Sequence, residues 1–119
     1  MVASLPPERK VALVTGAGRR IGRAVALRLA RHGYNLCIHY HTSKGDAEHL
    51  REEISAGGGA AMCLGADLAD PLAIEHMFDQ LHAQVGRLDV LINSAAIMPG
   101  GDWVNQTVET WDAVMAVNL

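Results

Sequence analysis

Nowhere does the sequence hold an uninterrupted apolar stretch long enough to cross a bilayer. Its opening, MVASLPPERK, places two prolines and several charges where a secretory signal needs an apolar core. Both absences predict a cytoplasmic protein with no membrane partner. Charge of one sign is also lacking: 13 acidic against 10 basic side chains leave a net charge of −3, with no long run of either. Nothing in that balance favours nucleic acid, so a small molecule is the expected partner. Cysteine is scarce. Cys37 and Cys63 each lie inside an apolar run and outside any Cys-x-x-Cys pair, which points to buried, reduced thiols rather than a disulfide or a metal site. There is no low-complexity tract, solenoid repeat or interdomain linker. Half of the 119 residues are apolar, enough for one core, and residues 1–119 are read as a single unit.

What is present is an alternation of short apolar runs with helical periodicity. Val11–Gly16 (VALVTG) is rich in β-branched residues and ends at glycine, after which Ile21, Val25 and Leu29 recur at helical spacing until Gly33. Asn35–Tyr40 (NLCIHY) repeats the strand signal; Ala47, Leu50 and Ile54 repeat the helix signal, closed by Gly57, Gly58 and Gly59. Ala60–Ala66 (AAMCLGA) makes a third strand. Asp70 is placed to cap, and Pro71 to open, a helix whose inner face is Ile74, Met77, Phe78, Leu81 and Val85. Asp89–Asn93 (DVLIN) is the fourth strand. After the loop SAAIMPGGDWVNQ, Thr107 caps a last helix bearing Val108, Trp111 and Met115 on one side. Four apolar strands alternating with amphipathic helices predict a doubly wound α/β fold with a parallel sheet covered on both faces, because parallel neighbours need crossovers and right-handed ones prevail.

The stretch VTGAGRRIG, Val14–Gly22, joins the first strand to the first helix. Such a turn aims free N–H groups and the positive end of a helix dipole at one spot, where folds of this class hold a pyrophosphate. Gly16 permits the tight exit from the strand, and Gly22 permits either close helix packing or close approach of a ligand. Arg19, Arg20 and Arg23 crowd the positive end of that helix, where each cation costs roughly 0.3 to 1 kcal/mol unless an anion is present. Guanidinium forks suit phosphate oxygens, so the cluster points to a phosphate ligand; solvated surface charge is the alternative.

Sites selective for NAD place an acid at the end of the second strand for the ribose 2′-hydroxyl, about 20 residues after the loop. Here that region reads HYHTS, His39–Ser43, with no carboxylate before Asp46. His41, Thr42 and Ser43 can donate hydrogen bonds and Arg20 is within reach, so NADP is expected and NAD is the lesser option. The alternative is that Thr42 and Ser43 only cap the next helix. His39 and His41 share a strand face, but no third ligand stands at a sensible spacing, and no metal site is expected.

Taken together, TGAGRRIG, ADL after the third strand, NSAA and AVNL resemble the N-terminal half of the short-chain dehydrogenase/reductase family, over nearly the whole chain. The resemblance implies a Rossmann fold, of which this is the first half with about four strands. Arginine in place of the loop's middle glycine, followed by HYHTS, is similar to pteridine reductases, which use NADPH. It further implies that Arg20 and Ile21 meet the cofactor diphosphate, beside the Gly16, Arg19 and Gly22 already read as candidates for cofactor binding, and that Tyr40, His41, Thr42 and Ser43 surround the adenosine 2′-phosphate. Thr42 stands where the pteridine enzymes have a basic residue. Asp67 would take the adenine amino group beside Leu68, unless it only satisfies a tight turn. Asn93, Ser94 and Ala95 would line the ribose, with Ser94 and Ala96 replacing the family's asparagine and glycine. Asn118 would be the helix asparagine that holds a water in the Asn, Ser, Tyr, Lys relay.

The relay's tyrosine and lysine stand four apart on a helix, so that both project from one face. The sequence has one Tyr-x-x-x-Lys, Tyr40 and Lys44, which spans a strand end and a loop and precedes Asn118, so it is read as a coincidence. No serine stands in a G-x-S-x-G elbow, and a hydrolase is not expected. Leu119 falls within an apolar-periodic stretch with no stop signal. The expectation is therefore one half of an NADPH-dependent carbonyl or pterin reductase, inactive alone and a homo-oligomer, often a tetramer, when whole. A non-catalytic nucleotide-binding module is the rival, and a 3-oxoacyl or sugar-alcohol dehydrogenase the rival among enzymes.

Overall fold

A computed structural model of the protein describes residues 5–96 and 107–118. In chain order they form β1 (Val11–Val14), α1 (Arg20–Arg31), β2 (Asn35–Tyr40), α2 (Lys44–Ala56), β3 (Ala61–Gly65), α3 (Pro71–Gln84), β4 (Val90–Ile92) and α4 (Val108–Asn118). The strands make one parallel sheet in the order β3-β2-β1-β4. Leu13 of β1 lies level with Cys37 on one side and Leu91 on the other. The chain thus winds outward from β1 through β2 to β3, then returns across the sheet to lay β4 on the opposite side of β1. That reversal opens a crevice at the carboxyl ends of β1 and β4, where open α/β sheets take ligands.

Alternation along the strands divides the core into two layers. Ala12, Val14, Leu36, Ile38 and Ala61 face α1 and α2, where they meet Ala26, Ala47, Leu50 and Ile54. Val11, Leu13, Cys37, Met62 and Leu64 face the other way, onto Met77 and Leu81 of α3. Helices therefore lie on both faces, the doubly wound arrangement expected from the sequence, though on the α3 face Leu91 of β4 is 45% exposed. Cys37 is buried, and desolvation pushes its thiol up to about 12. Cys63 points to the opposite layer and is only half-buried, against the expectation of full burial.

The helix faces differ from expectation at particular positions. Ile21 is 75% exposed and packs in neither layer, because it lies in the first turn of α1, beyond the end of β1. Phe78 is also exposed, while Ile74 and Val85 are half-buried, so the inner stripe of α3 narrows to Met77 and Leu81. No residue of α4 is buried, and Val108 and Trp111 lie open. β1, β3 and β4 end one or two residues short of their apolar runs, with Thr15 and Gly16 already in the turn after β1, while β2 coincides with its run. Residues 97–106 of the loop after β4, and Leu119, lie outside the described residues.

Helix starts follow their sequence signals. The Asp70 carboxylate accepts the Leu72 N–H at 3.0 Å with Pro71 behind it, and Thr107 Oγ1 accepts the Thr110 N–H at 3.1 Å. Asp70→Ala leaves that first-turn donor to water and is expected to lower stability by about 1 kcal/mol in denaturant melts. No change on substitution would mean that Pro71 alone starts the helix.

Candidate functional site

The turn after β1 is built by close packing of backbone on backbone. Gly16 has φ +60, and a Cβ there would stand 2.8 Å from Ala95 Cα. Gly22 is buried, and a Cβ on it would meet the Gly16 carbonyl oxygen at 2.6 Å and Ser94 Oγ at 2.9 Å. Of the two uses open to Gly22, the structure shows helix packing; Gly22 does not line the cavity described below. Arg19, at the N-cap of α1, makes no side-chain cap, and the first turn holds no acid. In contrast to α3 and α4, the leading N–H groups of α1 have no side-chain acceptor among the described residues, which suits an anion.

The arginine cluster is less in need of a ligand than its spacing suggests. Arg19 is paired with Asp46 and Arg23 with Glu53, both acids on α2. Two of the three cations at the positive helix end are thus offset by carboxylates of the neighbouring helix. Among the described residues no carboxylate pairs with Arg20. Arg20 is exposed and holds φ +51, a left-handed conformation costing a side-chain-bearing residue about 1 to 2 kcal/mol.

Over the carboxyl ends of the strands lies a cavity of about 800 Å3, of ordinary size for a cofactor site. Gly16, Arg19, Arg20 and Ile21 line it from the turn after β1; Tyr40, His41, Thr42 and Ser43 from the end of β2; Asp67 and Leu68 from the end of β3; Asn93, Ser94 and Ala95 from the end of β4. Ser43 occupies the N-cap position of α2 without a side-chain cap bond, so its hydroxyl is not spent on the helix. Asp67 Oδ1 accepts the Ala69 N–H at 2.9 Å, the tight-turn role, while Oδ2 lies 3.9 Å from His41 Nε2. Asn118 is not brought to the cavity. It is exposed at the end of α4, and its neighbour Val117 lines the wall instead, because successive helical residues point about 100° apart. Tyr40 ends β2 and Lys44 begins α2, so the Tyr-x-x-x-Lys spacing does span a strand end, a loop and a helix start.

Two further residues hold the site together, and local sequence pattern does not single them out for it. Thr15 is buried, and its Oγ1 accepts the Ser94 and Ala95 N–H groups at 2.9 and 3.0 Å, with the Ile92 carbonyl 3.4 Å away. A threonine between an apolar strand and a glycine turn was the available signal, masked by threonine's preference for strands. His39 is the second. Its Nδ1 accepts the Gly16 N–H at 3.0 Å and its Nε2 lies 2.9 Å from the Ala66 carbonyl oxygen, so both ring nitrogens are engaged by backbone.

Residues 10–119 match the family described as short chain dehydrogenase. The chain belongs to the short-chain dehydrogenase family. It is 42% identical over 110 residues to the 3-oxoacyl-[acyl-carrier-protein] reductase FabG of Staphylococcus aureus, a match spanning 92% of this chain and 45% of the relative. Among solved structures, a metagenomic short-chain oxidoreductase in complex with NADP superposes with a TM-score of 0.87 at 36% identity, covering 98% of this chain and 52% of that one. The landomycin C-6 ketoreductase LanV, with bound NADP and rabelomycin, gives 0.84 at 36% identity over 98% and 50%. The chain spans about half the length of the short-chain dehydrogenases it matches. Its sheet order and glycine turn are those of a Rossmann fold, as the family likeness implies. The narrower likeness to pteridine reductases has no counterpart in these three.

Proposed function

We propose that these residues are the NADP-holding half of one Rossmann domain in a reductase that delivers hydride from NADPH to a carbonyl. The observation that carries this is the cavity wall at the end of β2, where His41, Thr42 and Ser43 stand without a carboxylate on the same loop and Arg20 lines the same cavity. A 2′-phosphate meets hydroxyl donors there and a guanidinium that, among the described residues, no carboxylate pairs with, whereas a bare ribose meets no carboxylate on that loop. The backbone fits the rest of the nucleotide: the uncapped start of α1 receives the diphosphate, Gly16 keeps the turn narrow enough for approach, and Asn93, Ser94 and Ala95 flank the ribose. Asp67 and Leu68 receive the adenine. When bound, the nicotinamide supplies the hydride.

Asn118 belongs to this proposal as the residue that holds a relay water. The relatives named as a 3-oxoacyl-[acyl-carrier-protein] reductase and a C-6 ketoreductase make a C=O substrate, such as a 3-oxoacyl thioester, the first to try. A pterin C=N is the second. Consumption of NADPH by the intact protein with a 3-oxoacyl thioester separates an enzyme from a non-catalytic nucleotide-binding module, which would bind without turnover.

Arg20 provides the binding test. Arg20→Gly removes the charge and relieves the positive φ, so stability should rise by about 1 kcal/mol while the preference for NADPH over NADH shrinks about tenfold. Titrating the intact protein with both nucleotides by fluorescence, alongside thermal melts, measures both. Equal affinity for NADPH and NADH in the parent protein, unchanged by the substitution, removes the NADP assignment.

A further inference from the structure

Three segments meet at one side chain. His39 is buried near the end of β2; its main-chain carbonyl accepts the Ala17 N–H at 3.2 Å, its Nδ1 accepts the Gly16 N–H, and its Nε2 reaches the Ala66 carbonyl. A carbonyl can only accept and an amide can only donate, so the proton sits on Nε2 and the ring is neutral. Gly16 is the tight point of the turn after β1, and Ala66 immediately precedes Asp67. The imidazole therefore ties the phosphate end of the cavity to its adenine end.

We propose that His39 is a positioning residue for the dinucleotide: its neutral ring locks the glycine turn to the end of β3, and a proton at Nδ1 releases Gly16 and weakens nucleotide binding. The inference rests on the proposed dinucleotide site. A protonated ring carries N–H at both nitrogens and would set one donor against the Gly16 donor. Among the described residues, the titratable and charged groups that share the cavity lining with it are Tyr40 and His41, next on the chain; Arg19 and Arg20, on the turn beyond Gly16; and Asp67, after Ala66.

Burial holds the imidazole below the ordinary histidine value; the Ala66 hydrogen bond raises it and neighbouring His41 lowers it further. The fold thus favours the neutral ring. What His39 contributes is complete above the unfolded histidine value and is lost as the pH falls through the lowered folded value.

The test uses the intact protein, NADH and NADPH as separate probes, and a pH series from about 8 to about 5. Both nucleotides share the diphosphate, so both affinities should fall together in acid, about tenfold. His39→Asn keeps an acceptor near the Nδ1 position and should flatten that acid limb. His39→Gln reaches only toward Ala66 and should bind about tenfold more weakly even at the alkaline end. Without nucleotide, the Gly16 amide resonance should shift with the same midpoint as the His39 ring, a readout available even if a variant does not fold. A fall confined to NADPH assigns the titration to the 2′-phosphate or His41 and overturns the proposal. So does an acid limb retained in His39→Asn, or a Gly16 amide indifferent to His39. Failure of the parent protein to bind either nucleotide at the alkaline end defeats the dinucleotide site itself, and is distinct from these outcomes.

Discussion

Gly16→Ala should destabilise the protein by about 2 to 4 kcal/mol and weaken NADPH binding at least about tenfold. Two independent costs add. Alanine at φ +60 is strained by about 1 to 2 kcal/mol. The new Cβ would also stand 2.8 Å from Ala95 Cα and 3.1 Å from Ala95 N, which are backbone atoms with no rotamer to escape into. Relief requires the turn and the segment after β4 to separate, which widens the cavity at the point proposed for the diphosphate. Gly45→Ala is the matched control, since its Cβ would meet nothing within 4 Å and it lies within α2. That change should be stabilising by up to about 1 kcal/mol, with binding untouched. Denaturant melts and nucleotide fluorescence on both variants check this, and a Gly16→Ala protein within about 0.5 kcal/mol of its parent would show that the contact yields at little cost.

The elements legible in the sequence were those written in contiguous residues. Asn35–Tyr40 is bounded by turn residues, and β2 matches it. Asp70 and Pro71 start α3 through bonds made two residues apart. Even the layer assignment of β2 follows from alternation alone, with Leu36 and Ile38 toward α1 and α2 and Cys37 toward α3. The glycine turn and the HYHTS segment were legible for the same reason, and the structure brings both to one cavity. What local pattern does not carry is the partner across the fold. Arg19 and Arg23 read as cations in want of an anion because Asp46 and Glu53 lie 27 and 30 residues away in sequence. His39 had an obvious alternative use, as half of a histidine pair, and its bonds to Gly16 and Ala66 span 23 and 27 residues. A helical stripe also tells which residues share a side but not how far the opposing layer extends, which is why Phe78 shares the inner stripe of α3 in the sequence and yet lies exposed.

Thr15→Val is the second large effect expected, and it tests whether one hydroxyl joins the two sides of the crevice. Valine matches threonine in shape, so packing at this buried position is preserved and only the Oγ1 bonds are lost. The Ser94 and Ala95 N–H groups then lose their acceptor at once. An orphaned buried donor costs about 1 to 3 kcal/mol, and these two are half-buried, so water recovers part of it. A net loss of about 2 to 4 kcal/mol follows, with Thr15→Ser close to the parent because it retains the oxygen. The consequence extends to the turn opposite, because Ala95 is the residue packed on Gly16 and Ser94 Oγ is packed on Gly22. Loosening residues 93–96 therefore removes the surface against which both glycines are set, and nucleotide affinity should fall with stability. A double-mutant cycle with Gly22→Ala separates this from two unrelated defects: each change displaces Ser94, so their costs should fall short of additive by at least about 0.5 kcal/mol. Additive costs, or equal stability of the Thr15→Val and Thr15→Ser proteins, would mean that the hydroxyl occupies the junction without holding it.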